Sequence, residues 1–179
     1  MPLLMLKDLP RYECLLKASE RYPSLDPTAC EAFLNLLRAG DEVFEEEGRF
    51  FARHHISQGR FTLLMLLNRH CEEAATPASL AEQSRVTRAT MTGLIDTLEK
   101  DGLVVREAGE NDRRTLHVRL TPPGRDFVEN MLPEYFRCVS AIIEPLDECE
   151  RRQLVQLLQK IQQGLAPSRK PEERAEPLN

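Results

Sequence analysis

The apolar positions of this chain repeat mostly with helical spacing, and once, briefly, with the spacing of a strand. After Asp26-Pro27, a cap followed by proline at the first helical position, Cys30, Phe33, Leu34, Leu37, Val43 and Phe44 form one stripe and predict a long helix. Gly40 and Gly48 weaken that helix without ending it. Ser57 caps a second helix over Gln58–Cys71, whose Phe61, Leu64 and Met65 are flanked by more leucines than one face can hold. Thr76-Pro77 repeats the cap-plus-proline signal and predicts a short helix over Ala78–Gln83. A tight turn, Ser84-Arg85-Val86, follows. Thr87 then caps a helix over Arg88–Asp101 with Met91, Leu94, Ile95 and Leu98 on its apolar face, and Gly102 is placed to stop it in the left-handed conformation.

The period then changes. Leu103-Val104-Val105 and the alternating Leu116, Val118, Leu120 predict two strands, joined by the turn-rich EAGENDRR. Thr121 caps a helix carrying Phe127, Val128, Met131, Leu132, Tyr135, Val139, Ile142 and Ile143, with Pro133 inside it as an expected kink. Asp147 and Glu150 make a capping box for the last helix, striped by Leu154, Leu157, Leu158, Ile161 and Leu165. A short helix over Leu9–Arg21 is expected upstream of all of these. Helix, turn, helix, hairpin is the layout of a winged helix-turn-helix. The expected fold is therefore mainly α with a small β-hairpin wing. The expected organisation is an N-terminal extension (1–25), an N-terminal dimerisation helix (26–56), a DNA-binding winged domain (57–121), C-terminal dimerisation helices (122–166) and a flexible tail (167–179). The flanking helices look dispensable for the winged domain's own core, which leaves their stripes for a second copy of the chain.

Charge sharpens this. The 179 residues carry a formal net charge of -5, yet residues 85–125 hold eight Arg and Lys against six Asp and Glu. Local field, not the total, decides affinity for a polyanion. The N-terminal end of the helix after the turn offers Thr87, Arg88, Thr90 and Thr92, with Arg85 just before it. Threonine hydroxyls and an arginine suit base edges and phosphates of a major groove. Arg113 and Arg114 at the hairpin tip suit the negative minor groove beside it, with Asp112 placed to orient Arg114. The plainer alternatives are a solvated helix face and an ion pair within a turn.

Other chemistry is thinly supported. No G-x-S-x-G, H-E-x-x-H or Gly-rich phosphate loop occurs, so neither catalysis nor a cofactor is expected. The five cysteines, Cys14, Cys30, Cys71, Cys138 and Cys149, are irregularly spaced and read as buried reduced thiols. Cys30, in the first turn of a helix, is a redox candidate. His54, His55, His70 and Cys71 are candidate metal ligands without diagnostic spacing, and no metal site is assigned. No stretch is long and apolar enough to span a membrane, and the start does not read as a signal peptide, so a cytoplasmic location without a membrane partner is expected.

Two stretches together resemble the MarR family of bacterial transcription regulators. One is D-x-R-x5-L-T-x-x-G, here Asp112, Arg114, Leu120, Thr121 and Gly124; the other is TRATMTGLIDTLEKDGLVVR, Thr87–Arg106. The resemblance covers Pro27–Leu165. It implies a homodimer on a pseudo-palindromic DNA operator, acting as a repressor without catalysis. It also implies release by a small phenolic or lipophilic effector that enters between the dimer arms and the reading domain. Tyr22, His54, Phe61 and Met65, near the junction of the first two long helices, are the candidate pocket residues. Redox sensing through Cys30, metal sensing, and a protein-interaction module that does not bind DNA remain as alternatives.

Overall fold

The computed structural model describes residues 2–69, 75–108 and 115–165. Its elements are α1 (Tyr12–Arg21), α2 (Pro27–Arg53), α3 (Gln58–Arg69), α4 (Pro77–Ser84), α5 (Arg88–Lys100), β1 (Val104–Ala108), β2 (Leu116–Leu120), α6 (Pro122–Ile143) and α7 (Glu148–Leu165). The fold is the expected winged helix-turn-helix with flanking helices. The chain divides into two compact units, Met1–Cys138 and Val139–Asn179.

The predicted caps are formed. The Asp26 carboxylate accepts the backbone N–H groups of Thr28 and Ala29, which holds its pKa below the usual carboxylate range. The first cause is the Thr28 hydroxyl, which donates to the same oxygen at 2.7 Å. Thr76 and Ser79 close a reciprocal box at the start of α4, with both backbone-to-hydroxyl distances 3.1 Å. Asp147 and Glu150 do the same ahead of α7, each bond 2.9 Å. Gly102 stands at φ +72°, as its place after α5 demands. Arg85 occupies the same region at φ +53° without being glycine, held by its N–H on Glu82 O and by Val86 N–H on Ala81 O.

Three expectations need correction. First, α1 begins at Tyr12, not Leu9. Pro10 disfavours the helical conformation at the residue before it. Second, two of the flanking helices, α2 and α6, are not spare. Phe50 and Phe51 of α2, with Val128 and Met131 of α6, belong to the same buried cluster as Leu63, Leu64, Leu67, Leu80, Met91, Ile95, Leu98, Val104 and Val118. The small hairpin and three short helices do not close a core by themselves, so the last turns of α2 and the first of α6 complete it. Third, the described thiols are not buried: Cys14 and Cys149 are exposed, and Cys30 and Cys138 are half-buried. Helix α6 runs through Pro133 to Ile143 without interruption.

The hairpin pairs Val104 with Leu120 and Ala108 with Leu116 in antiparallel register. Just before α4, Ala75 forms an isolated bridge to Val118, whose N–H donates to Ala75 O at 2.8 Å. At its base the wing is stapled to α6. Thr121 N–H donates to Leu103 O at 3.1 Å, and the Thr121 hydroxyl donates to Gly102 O at 2.6 Å while accepting Gly124 N–H at 3.0 Å. A Cβ on Gly124 would lie 1.9 Å from Leu103 O. That atom is backbone, so the clash cannot be relieved by a rotamer.

We expect Gly124→Ala to destabilise the protein by about 1–3 kcal/mol, the usual range for overpacking. In thermal denaturation followed by circular dichroism this reads as a melting point lower by several degrees. A melt superimposable on the parent would contradict the close approach.

Candidate nucleic-acid interface and adjoining cavity

Helix α5 buries Met91, Ile95 and Leu98 and leaves Arg88, Thr90, Thr92, Gly93 and Asp96 in solvent. Its two faces follow directly from the spacing of its apolar residues. Thr87 caps it, accepting Thr90 N–H at 3.1 Å, and the two hydroxyls lie 2.9 Å apart. The Thr92 hydroxyl donates back to Arg88 O at 2.9 Å. Arg85, Thr87, Arg88, Thr90 and Thr92 are thus gathered, all exposed, around the turn between α4 and α5. The geometry is a helix N-terminus with hydroxyl and guanidinium groups facing outward, which suits phosphate oxygens and base edges. Asp112, Arg113 and Arg114 lie outside the described residues, as do His70 and Cys71.

Two arginines of the 85–125 segment, Arg106 and Arg119, are committed to ion pairs, and so is Arg60 upstream of it. Arg106, on β1, binds Asp96 at 2.5 Å and also Glu99, whose second oxygen accepts Arg106 N–H at 3.2 Å. Burial works against its charge, but the bonds to Asp96 and Glu99 outweigh this and raise its pKa. Arg60 of α3 pairs with Asp101 at the end of α5, and Arg119 with Glu107 across the hairpin. Spacing along the sequence could not reveal these pairs, because each joins different elements.

A cavity of about 460 Å³ opens beside α3. Phe51, Phe61, Met65, Leu66 and Tyr135 form its apolar walls, and Glu47, Gln58, Thr62, Asn68 and Arg69 supply polar groups. This is the size and mixture of a small-molecule site. Of the four sequence candidates, Phe61 and Met65 stand on its wall. His54 does not: its Nε2 lies 3.2 Å from Glu134, and its ring lies 4.5 Å from that of Phe50. Tyr22 follows α1, half exposed, with the Arg21 guanidinium 5.5 Å above its ring. Sequence reasoning missed Tyr135, which belongs to α6 and meets the cavity only through folding. Its ring lies 4.8 Å from that of Phe61, and its hydroxyl donates to Glu47 at 3.1 Å. Burial, reinforced by the Glu47 carboxylate, raises the Tyr135 pKa. Among the described residues no three His, Cys, Asp or Glu side chains converge in a metal-binding group. Cys30 sits half-buried in the first turn of α2, its N–H on Asp26 O.

The raised Tyr135 pKa fixes a sign. The folded protein holds that proton more tightly than the unfolded chain, so the associated stability is complete below about pH 10 and is lost as pH rises past it. In urea titrations between about pH 9 and 11 we expect Tyr135→Phe to lose less stability than the parent. Parallel losses would show that the hydroxyl does not titrate in this setting.

Comparison with known proteins agrees with the geometry. The model of the MarR family matches residues 56–116, spanning α3 to the start of β2. The chain is 35% identical over 153 residues to the HTH-type transcriptional repressor YetL of Bacillus subtilis, covering 86% of this chain and 92% of YetL. It is 28% identical over 120 residues to the transcriptional repressor MprA of Escherichia coli, covering 67% and 68%. Bordetella bronchiseptica BpsR, whose DNA binding is regulated by 6-hydroxynicotinic acid, superposes with a TM-score of 0.62 at 25% identity, covering 74% of this chain and 98% of BpsR. The MepR–DNA complex of Staphylococcus aureus shares the fold, with a TM-score of 0.66 at 22% identity, covering 75% and 97%. With a wing behind a threonine-faced helix and such relatives over most of its length, this chain belongs to the MarR family of transcription regulators.

Proposed function

We propose that the chain is a homodimeric, sequence-specific DNA-binding repressor that releases a pseudo-palindromic operator when a small phenolic or lipophilic ligand binds. The carrying observation is the exposed cluster Arg85, Thr87, Arg88, Thr90 and Thr92 at the α4–α5 turn, directly upstream of the hairpin. In this reading α5 enters the major groove, with Arg88 and the threonines at base edges and phosphates. Arg113 and Arg114 of the wing sequence reach the minor groove, and Asp112 orients Arg114.

A second copy of the chain is the natural partner of α7. That helix buries none of its residues, and Leu154, Leu157, Ile161 and Leu165 stay exposed along it. Such a stripe needs a cover. A two-fold dimer sets two copies of α5 about 34 Å apart, one turn of the duplex. The cavity walled by Phe61, Met65 and Tyr135 is the proposed effector site. Aromatic and thioether side chains receive a flat apolar ligand there, and Arg69 can pair with an anionic substituent. A ligand acts on DNA affinity only by binding one spacing of the reading helices better than the other. The site of action is the cytoplasm, and no helix among the described residues is long and apolar enough to cross a membrane.

The test is retardation of the DNA upstream of the protein's own gene, with sedimentation to establish the dimer. We expect affinity to fall steeply with salt. Arg88→Ala should cost about 1–3 kcal/mol and relax sequence preference, while Arg114→Ala should weaken binding. Salicylate-like ligands should release the DNA from the parent and from Cys30→Ser alike. If both arginine variants bind as the parent does, the proposed interface is wrong; if only Cys30→Ser ignores the effector, the cysteine is the sensor.

A further inference from the structure

Helix α5 carries acids where a groove-reading helix should least tolerate them. Asp96 follows Arg88 and Thr92 at four-residue intervals, so all three share the exposed face. Glu99 and Asp101 lie at its end. Each of these carboxylates is met by an arginine from another element: Asp101 by Arg60, and both Asp96 and Glu99 by Arg106. One guanidinium nitrogen of Arg106 goes to each acid, and its backbone N–H goes to Glu99 as well. The Arg106 side chain is 21% exposed, against 57% for Asp96.

We propose that Arg106 is a positioning residue for DNA reading that acts through Asp96. It masks the carboxylate that α5 would otherwise turn toward the phosphates, and it ties the root of the wing to the reading helix. This rests on the proposed insertion of α5 into the groove. A guanidinium with two carboxylate partners has little left to offer a phosphate directly. Partly exposed ion pairs contribute modestly to folding. Their loss is felt instead when a polyanion approaches, because a bared carboxylate then meets like charge. The competing role for Asp96 is to accept a hydrogen bond from a cytosine amine.

The experiment uses the full chain and the DNA fragment upstream of its own gene, with affinity read by fluorescence anisotropy and folding by thermal melts. We expect Arg106→Gln to bind about tenfold more weakly or worse, while the double variant Arg106→Gln/Asp96→Asn returns to within about threefold of the parent. Asp96→Asn alone should bind at least as tightly as the parent. Unchanged affinity in Arg106→Gln overturns the proposal. So does failure of Asp96→Asn to restore binding, which would put Arg106 itself on the DNA. A loss of affinity and of preference at one base pair in Asp96→Asn alone would make Asp96 a base reader and equally overturn it. Should Arg106→Gln melt far below the parent, Arg106→Lys keeps a cation beside Asp96. It should hold affinity within about threefold, and a tenfold loss would count against the masking role. Arg88→Ala separates the two ideas: if it binds weakly while Arg106→Gln binds normally, the DNA reading stands and the masking role falls.

Discussion

The placement of α5 and the hairpin against α6 depends on the contact between the backbone at Leu103 and the first turn of α6. Thr121 supplies the polar half of it, with its N–H on Leu103 O and its hydroxyl between Gly102 O and Gly124 N–H. Gly124 supplies the steric half, by having no side chain where one would overlap a carbonyl. The end of α5, the start of β1, the end of β2 and the start of α6 thus meet within a few residues. Local backbone bonds of this kind are cheap to form only when the participating elements are already packed. Leu98, Val104, Val118 and Val128, one from each of these four elements, are all buried in the same cluster.

Electrostatics adds a second layer over that frame. An acidic chain that approaches a polyanion must keep its negative charges either distant or paired. The acids on and next to α5 are paired, by arginines from α3 and β1. Those arginines therefore join α5 to α3 and to β1. The same groups that quiet the local charge also couple α5 to α3, and α3 forms one wall of the cavity. Arg60 sits on the α3 turn that follows Gln58 and precedes Phe61, both of which line that wall. A shift of α3 on filling the cavity would reach Asp101 through a charge pair as well as through packing.

Local signals were legible from the sequence and long-range ones were not. The caps at Asp26, Thr76, Thr87 and Asp147 and the stop at Gly102 each rest on a residue type whose preference is decided within four positions. The hairpin followed from two apolar runs and a turn-rich join. What escaped was whatever needs two distant elements at once: the Ala75 bridge to Val118, the Arg106 pairs, and Tyr135 in the cavity wall. The division of labour between core and arms is not legible in the sequence for the same reason. A stripe on α2 or α6 says that a face will be buried, but not whether the covering partner is the same chain or another. Phe50 and Phe51 went to the internal core, whereas Phe33 and Phe44 on the same helix stayed 58% and 60% exposed.

That split along α2 bears on how a ligand and a duplex could communicate. The last turns of α2 are fixed in the core of the reading unit, and its earlier turns keep an apolar face free. The Tyr135–Glu47 bond lies between them, next to the ring cluster of Phe50, Phe51 and Phe61. Glu47 lines the cavity together with Tyr135, so a ligand of the kind proposed there meets both ends of that bond. In the proposed effector response, a ligand that opened this bond would have to offset it before it could favour one spacing of the helices. A net intramolecular bond of this kind, with a charged acceptor, is worth about 1.5–3 kcal/mol, comparable to a typical coupling free energy between two sites. A ligand that reproduces the phenol's hydrogen bond to Glu47 keeps most of its binding energy for the conformational change. One that parts Tyr135 from Glu47 without replacing the bond loses that much of it.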